Sequence, residues 1–146
     1  MVQRVARARV TVDAEEVMRM GEGLLAFVGV GRRDTRAAAD ELARRILHLR
    51  IFADAEQRMN LSLLDTGGTL GLVSQFTLFG DARQGRRPFF GEAMPAGQAA
   101  PLVEAVAEAA RALGAAVVCG RFGARMEVEL VNVGPVTLLI DTERQF

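Results

Sequence analysis

Over the first thirty residues the apolar positions fall in short runs broken by polar residues. Residues 2 to 12 are rich in Val with Arg interspersed, Asp13 to Glu16 are polar, and Val17 to Val30 turn apolar again around Gly21 and Gly23. That pattern predicts two or three strands joined by short turns, with Glu15-Glu16 in a hairpin turn. Over Thr35 to Leu49 the spacing changes: Ala39, Leu42, Ala43, Ile46 and Leu49 form one stripe at helical intervals, which predicts a helix. Arg50-Ile51-Phe52 reads as a short strand, and residues 53 to 69 as a polar, turn-rich connection. Residues 69 to 79 read as one mostly apolar strand. A second helix is expected from Pro101, at an early helical position, to Leu113, where Gly114 stops it. A strand at 116 to 119, a turn over Gly120 to Gly123, an alternating strand from Met126 to Val131 and a last strand from Val136 to Ile140 complete the order. The tail from Asp141 to Phe146 is expected to fray.

Two places break these patterns. Ser74, Gln75 and Thr77 set three polar side chains within four positions of an apolar run, more than packing requires although internal hydrogen bonds would satisfy them. On a regular strand Ser74 and Phe76 would share one face and Gln75 and Thr77 the other. In Asn132-Val133-Gly134-Pro135-Val136-Thr137, a Gly-Pro pair interrupts two apolar runs, and Pro cannot donate to a central ladder. A plain turn between two strands accounts for the pair; so does a functional need for an unusual backbone.

Composition narrows the chemistry. The chain has 146 residues, half of them hydrophobic and a quarter charged, which suits one globular domain spanning 1 to 146. Its one cysteine, Cys119, cannot form an internal bridge, no apolar run approaches membrane-spanning length, and the Arg-broken N-terminus lacks a signal-peptide core. A cytoplasmic protein without membrane contact is expected. Net charge is zero, so nucleic-acid binding would rest on a local patch, for which Arg83, Arg86 and Arg87 beside Pro88-Phe89-Phe90 are the candidates. Arg beside aromatic rings suits a phosphate and a stacked base, and equally suits a solvated loop. DNA is not an expected partner.

The chain contains no Lys, no Tyr and no Trp, which removes Schiff-base and phenolic chemistry. The single histidine, His48, shares a helix face with Glu41, Arg44 and Arg45 and reads as a surface residue, so a Ser-His-Asp or Cys-His site is not expected. One His and one Cys do not make a zinc site. Gly29-Val30-Gly31 is followed by neither a third glycine nor a lysine and is not a phosphate loop. No metal and no cofactor are expected, and an enzyme built from these residues works without the usual side-chain base.

Ser74-Gln75-Phe76-Thr77-Leu78 and Asn132-Val133-Gly134-Pro135-Val136-Thr137 together resemble the signature pair of the D-aminoacyl-tRNA deacylases. Gln3-Arg4-Val5, Gly23-Leu24-Leu25, Arg50-Ile51-Phe52, Met59-Asn60-Leu61, Arg87-Pro88 and Gly120-Arg121-Phe122-Gly123 match in the same order, so the similarity spans nearly the whole chain. Phe89 stands where the family usually has a small Ser, and Ala14 replaces a common turn glycine.

The resemblance implies a single α/β domain whose mixed, curved, barrel-like sheet carries two main helices. It implies an aminoacyl-tRNA editing hydrolase that cleaves the ester of D-aminoacyl-tRNA, and of glycyl-tRNA, while rejecting L-amino acids. In a homodimer, a cis Gly134-Pro135 peptide would enter the other subunit's pocket and grip the amino group and Cα of the substrate. Ser74, Gln75, Phe76 and Thr77 would line the ester, Phe122 and Met126 would help form the pocket, and Arg4 would fix the Gly-Pro conformation. Assistance by the 2′-hydroxyl of the terminal ribose is the expected mechanism, with Thr77 as a covalent nucleophile its competitor. Two other readings stay open: a wider pocket with a trans Gly-Pro that removes small L-amino acids, and a non-catalytic tRNA- or protein-binding module.

Overall fold

A computed structural model describes residues 1–144. The chain folds as β1 (Val2–Val12), β2 (Glu15–Met20), β3 (Gly23–Val28), α1 (Arg36–Leu47), β4 (Phe52–Ala53), β5 (Met59–Leu61), the one-turn α2 (Leu63–Thr66), β6 (Thr69–Ser74), α3 (Ala96–Ala112), β7 (Ala116–Cys119) and β8 (Glu127–Leu138). The six-stranded sheet runs β2-β1-β3-β6-β7, with β8 on the other side of β1. Strands β2, β3 and β8 lie antiparallel to β1, whereas β3, β6 and β7 are parallel. The sheet curls until Met18 and Met20 of β2 meet Val118 of β7, which nearly closes it. The mixed, barrel-like α/β architecture with two main helices is therefore what forms.

Two cores lie on opposite faces of this sheet. In one, Leu24, Ala26, Leu70 and Leu72 pack against Ile46 and Leu47 of α1 and Val106 and Ala110 of α3. The other gathers Val5, Ala8, Val10, Met18, Met20, Leu25 and Val73 inside the curl. Leu24 and Leu25 are neighbours with no exposed surface, one in each core. Strand β3 is thus covered on both sides, which is why Gly-Leu-Leu-Ala-Phe-Val is a continuous apolar run. Each such leucine contributes about 1.5–3 kcal/mol of burial.

Strands β1 and β8 pass from one core to the other midway. Val128 and Leu130 feed the inner core, whereas Val136, Leu138 and Ile140 feed the helix-covered one, although all five positions are even-numbered. Alternation alone would keep them on one face. The pairing supplies the reversal: Asn132 faces Val5 and Thr137 faces Gln3, so β8 carries three residues more than β1 over this interval. Ala6 is a surplus residue on β1 between Val5, opposite Asn132, and Arg7, opposite Val131, and it lets Val5 and Ala8 share the inner core.

Several expected boundaries move. The run at 69 to 79 is not one strand: β6 stops at Ser74, and Phe76–Phe79 form a 3₁₀ turn. Its parallel partner β3 ends at Val28, opposite Ser74, and β7 ends at Cys119, opposite Leu72, so no ladder remains to extend. The second helix begins at Ala96 with Pro95 at its N-cap, and Pro101 lies inside it rather than at its start. The hairpin turn is Asp13-Ala14, both at positive φ, while Glu15 and Glu16 already belong to β2. Helix α2, unexpected in the polar connection, is held by a capping box between Ser62 and Asp65. The tail is tethered at Asp141 and Glu143: Arg45 donates to the Asp141 carbonyl at 3.0 Å, and Arg33 pairs with Glu143 at 3.0 Å. The rest of the segment expected to fray, residues 145 and 146, lies outside the described residues.

Candidate active site

The segment Ser74 to Thr77 sits where β6 gives way to the 3₁₀ turn. The Gln75 N–H donates to the Val28 carbonyl at 2.7 Å, which anchors the turn to the end of β3. Gln75 Nε2 donates to Thr77 Oγ1, and Phe76 and Thr77 point their surfaces to solvent. The turn closes through Leu78 N–H to the Gln75 carbonyl at 3.3 Å and Gly80 N–H to the Thr77 carbonyl at 3.0 Å. Among the described residues, the N–H groups of Phe76 and Thr77, the first two of the turn, have no backbone acceptor, as is usual for the opening residues of a helix. Two adjacent uncommitted amides at an exposed turn can bind a developing negative charge. Gly29 lies against this turn, close to the Gln75 carbonyl and the rings and stems of Phe79 and Leu78.

The Phe76 ring, 58% exposed, meets the edge of Phe90 with centroids 5.0 Å apart and planes at 68°. That contact brings the loop from Gly80 to Gly91 back beside the turn that starts it. Within the loop Asp81 and Phe89 exchange two backbone hydrogen bonds of 2.8 Å. Met126 packs its sulfur over Gly120, whose N–H donates to the Leu72 carbonyl at 2.8 Å, so Met126 borders the end of β6. Phe122 lies in the following turn, 39% exposed, beside Arg121, which pairs with Glu15 at 3.2 Å.

Gly134 and Pro135 stand at the tip of the β8 surplus, joined by a cis peptide bond and exposed. Arg4 lies opposite them. Its Nε donates to the Val133 carbonyl at 3.3 Å and its Nη1 to the Ile51 carbonyl, which fixes the guanidinium between the tip and the start of β4. Asn132 closes the base: its Nδ2 donates to the Arg4 carbonyl at 3.0 Å and to the Val136 carbonyl at 2.9 Å. Gln3 Nε2 donates to Thr137 Oγ1 at 3.1 Å across the same base. Arg4, Gly134 and Pro135 are thus brought together, and Gln3, Asn132 and Thr137 join them. In the sequence Gln3, Asn132 and Thr137 stand as motif letters with no expected role, Phe90 as part of the arginine-aromatic loop, and Gly29 in a glycine pair that is not a phosphate loop. The Asn132 amide, polar beside a Gly-Pro pair in an apolar strand, was the available signal.

Within one chain the two segments are not brought together. Ser74 pairs with Val28 on one side of β3, while Arg4, level with the Gly-Pro tip, pairs with Leu24 on the other. Four residues along the strands separate the two segments by about 13 Å, with three strand spacings, from β6 through β3 and β1 to β8, added. A cavity of about 590 Å³ opens behind the 3₁₀ turn, lined among others by Gly31, Asp34, Leu78, Phe79 and Asp81; it includes Arg83 of the arginine patch but none of Ser74 to Thr77, Arg4, Phe122, Met126, Gly134 and Pro135. His48 is exposed at the end of α1, with Nδ1 2.8 Å from the Arg44 carbonyl, far in the chain from either segment. Among the described residues there is no cluster of three His, Cys, Asp or Glu fit for a metal ion, and no helix long and apolar enough to cross a membrane.

Comparison with known proteins places this geometry. The family model for D-Tyr-tRNA(Tyr) deacylase matches residues 1–141. A D-aminoacyl-tRNA deacylase of Symbiobacterium thermophilum is 53% identical over 146 residues, covering 100% of this chain and 97% of its own. One from Thermomicrobium roseum is 54% identical over 142 residues, covering 97% and 92%. Among solved structures, the c-Myc DNA Unwinding Element Binding Protein superposes with a TM-score of 0.89 at 36% identity, covering 94% of this chain and 93% of that one. A probable eukaryotic D-amino acid tRNA deacylase shares the fold at a TM-score of 0.76 and 20% identity, covering 92% and 93%. With a family match that reaches from the first residue of β1 past the end of β8, the chain belongs to the D-Tyr-tRNA(Tyr) deacylase family.

Proposed function

We propose that this chain hydrolyses the ester linking a D-amino acid, or glycine, to the terminal adenosine of tRNA. The observation that carries the reading is the family match over residues 1–141. The chemistry is supported by what the site holds among the described residues: two uncommitted backbone amides, and no carboxylate or imidazole among the hydrogen-bond partners of Ser74 to Thr77. Water attacks the ester carbonyl carbon, and the oxygen gathers negative charge as the tetrahedral intermediate forms. The amides of Phe76 and Thr77 donate to that oxyanion, an effect worth about 3–4 kcal/mol per donor in other enzymes. The carbonyl re-forms as the bond to the ribose 3′ oxygen breaks. The neighbouring 2′-hydroxyl relays the proton from the attacking water to the departing oxygen, and no side-chain base is required. Thr77 is poorly suited as a covalent nucleophile, since its hydroxyl accepts a hydrogen bond from Gln75 and has no base beside it.

Selectivity in this reading comes from a second copy of the chain. Gly134 and Pro135 of one subunit enter the pocket bordered by Ser74 to Thr77, Phe122 and Met126 of the other, where backbone occupies the volume an L side chain would need. A D-amino acid directs its side chain elsewhere and glycine has none, so both pass. The separation of the two segments within one chain and the exposure of the Gly-Pro tip favour this arrangement. The cytoplasm, where aminoacyl-tRNA is made and used, is the compartment this activity requires.

Deacylation rates on D-aminoacyl-tRNA, its L counterpart and a D-aminoacyl-tRNA ending in 2′-deoxyadenosine test the proposal together. Cleavage of the first, sparing of the second and much slower cleavage of the third are expected. Equal rates on the first and third would remove the 2′-hydroxyl, and equal rates on the first and second would remove the chiral selection. Thr77→Ala is expected to keep substantial activity.

A further inference from the structure

The loop from Asp81 to Gly91 carries groups that neither the pocket nor the cores use. Arg83 is neutralised by Asp81, with Nε and Nη2 donating to its carboxylate at 2.9 and 2.6 Å. Arg86 and Arg87 have no hydrogen-bond or ion-pair partner among the described residues, in a chain whose other arginines are mostly paired. Beside them Phe89 leaves 71% of its surface in water, the largest exposure of any bulky apolar residue described. Such exposure is disfavoured unless something covers the ring. The loop is nevertheless fixed. Its backbone pairs Asp81 with Phe89, Pro88 and Phe90 pack over Gly80, the Phe90 ring abuts Phe76 of the site, and Arg32 Nε holds the Gly91 carbonyl.

Two unpaired guanidinium groups and an aromatic ring that rests against Gly91 and is otherwise open to water, next to Phe90 with its contact to Phe76 of the ester-binding turn, match one ligand chemistry: phosphodiester oxygens flanking an unstacked base. We infer that Arg86, Arg87 and Phe89 form the platform for the single-stranded 3′ end of the tRNA, upstream of the terminal adenosine. The arginines bind its phosphates and Phe89 stacks on one of its bases. This rests on the deacylase reading, which puts the terminal ester at Phe76 and Thr77 and so requires the preceding nucleotides to leave over neighbouring surface. It also explains how a chain of zero net charge holds RNA: the cations that matter are the few left unneutralised at this rim. Phe89 occupies a position where a serine could not stack, so the platform gives this chain a grip that does not depend on base identity.

The test compares two substrates, D-aminoacyl-tRNA and the same D-amino acid esterified to adenosine alone, with the wild type, Phe89→Ser and an Arg86→Ala/Arg87→Ala double variant. Both variants are expected to lose about tenfold or more in kcat/KM on the tRNA, chiefly through KM, with little change on the adenosine ester. The double variant should also lower the slope of log binding constant against log salt by about 1 to 1.5, as two single-strand phosphate contacts require. Equal losses on both substrates would mean that the loop merely supports the pocket, and unchanged rates on tRNA would mean that it touches no RNA; either overturns the inference. Should the wild type cleave neither substrate, the deacylase reading itself fails. Binding of an uncharged acceptor-stem hairpin, with and without its single-stranded 3′ end, then decides the platform: loss of binding on removing that end supports it, and equal binding overturns it.

Discussion

Arg4 donates its Nε–H to the Val133 carbonyl at 3.3 Å, spanning the gap where β8 carries its surplus residues. A second donation to the Ile51 carbonyl means that one guanidinium ties the tip of β8 to a segment outside the main sheet. Arg4→Met keeps the aliphatic stem and removes both bonds. Charged hydrogen bonds contribute about 1.5–3 kcal/mol each, less where water can replace the partner. A loss of about 2 kcal/mol in urea unfolding is expected, together with a fall in discrimination between D- and L-aminoacyl substrates as the tip loosens.

Gly134 has φ +117, and a Cβ there would stand 2.8 Å from Val136 Cγ2 and 2.9 Å from Arg4 Nη2. Val136 is buried and cannot retreat, so the guanidinium of Arg4 must shift and give up its bonds to the Val133 and Ile51 carbonyls. Gly134→Ala should cost about 1–3 kcal/mol in stability. The displaced Arg4 should reduce deacylation further than the residual folded fraction explains, which is measured by comparing specific activity with the amplitude of the thermal transition.

The hairpin between β1 and β2 contains the opposite situation, an L-residue where glycine fits better. Ala14 sits at φ +66 after Asp13 at φ +48. A left-handed L-residue costs about 1–2 kcal/mol, of which the greater freedom of unfolded glycine returns about 0.5–1. Ala14→Gly should therefore stabilise by roughly 0.5 kcal/mol, seen as a higher urea midpoint at unchanged slope, with activity unaltered.

The Asp81 carboxyl is held at about 2, below its ordinary 3.8, first by the side-chain hydrogen bond from Arg83 and next by the Arg83 backbone N–H. A lowered carboxyl pKa stabilises the fold fully above the unfolded value and loses that contribution as pH falls from about 4 towards 2. The melting-temperature difference between wild type and Asp81→Asn should be constant from pH 5 to 8 and narrow below pH 4. With the group at the surface the difference is small, and added salt should shrink it.

What the sequence disclosed followed from how local each determinant was. Helix α1 was legible because Ala39, Ala43 and Ile46 write its buried stripe within one element. The first three strands were legible because their alternation is interrupted by turn residues. Phe76-Thr77-Leu78-Phe79 reads as strand because its apolar, aromatic letters favour one; what ends β6 is that both neighbouring strands run out, a tertiary fact. Helix α2 has a local signal in Ser62 and Asp65, three residues apart before Gly67, which the polar composition of the surrounding connection masks. At the site, the motif letters located both segments, but the uncommitted amides of Phe76 and Thr77 arise from the turn geometry and have no letter of their own.

The odd surplus on β8 also governs how the chain can change. Val136, Leu138 and Ile140 reach the helix-covered core because three extra residues precede them, and loss or gain of a single one between Asn132 and Thr137 would rotate all three to the wrong face. Substitution inside the tip disturbs its immediate neighbours, Arg4 and Val136; a change of length there dismantles a core. The stretch is exposed at the surface, yet its length is fixed by the core behind it.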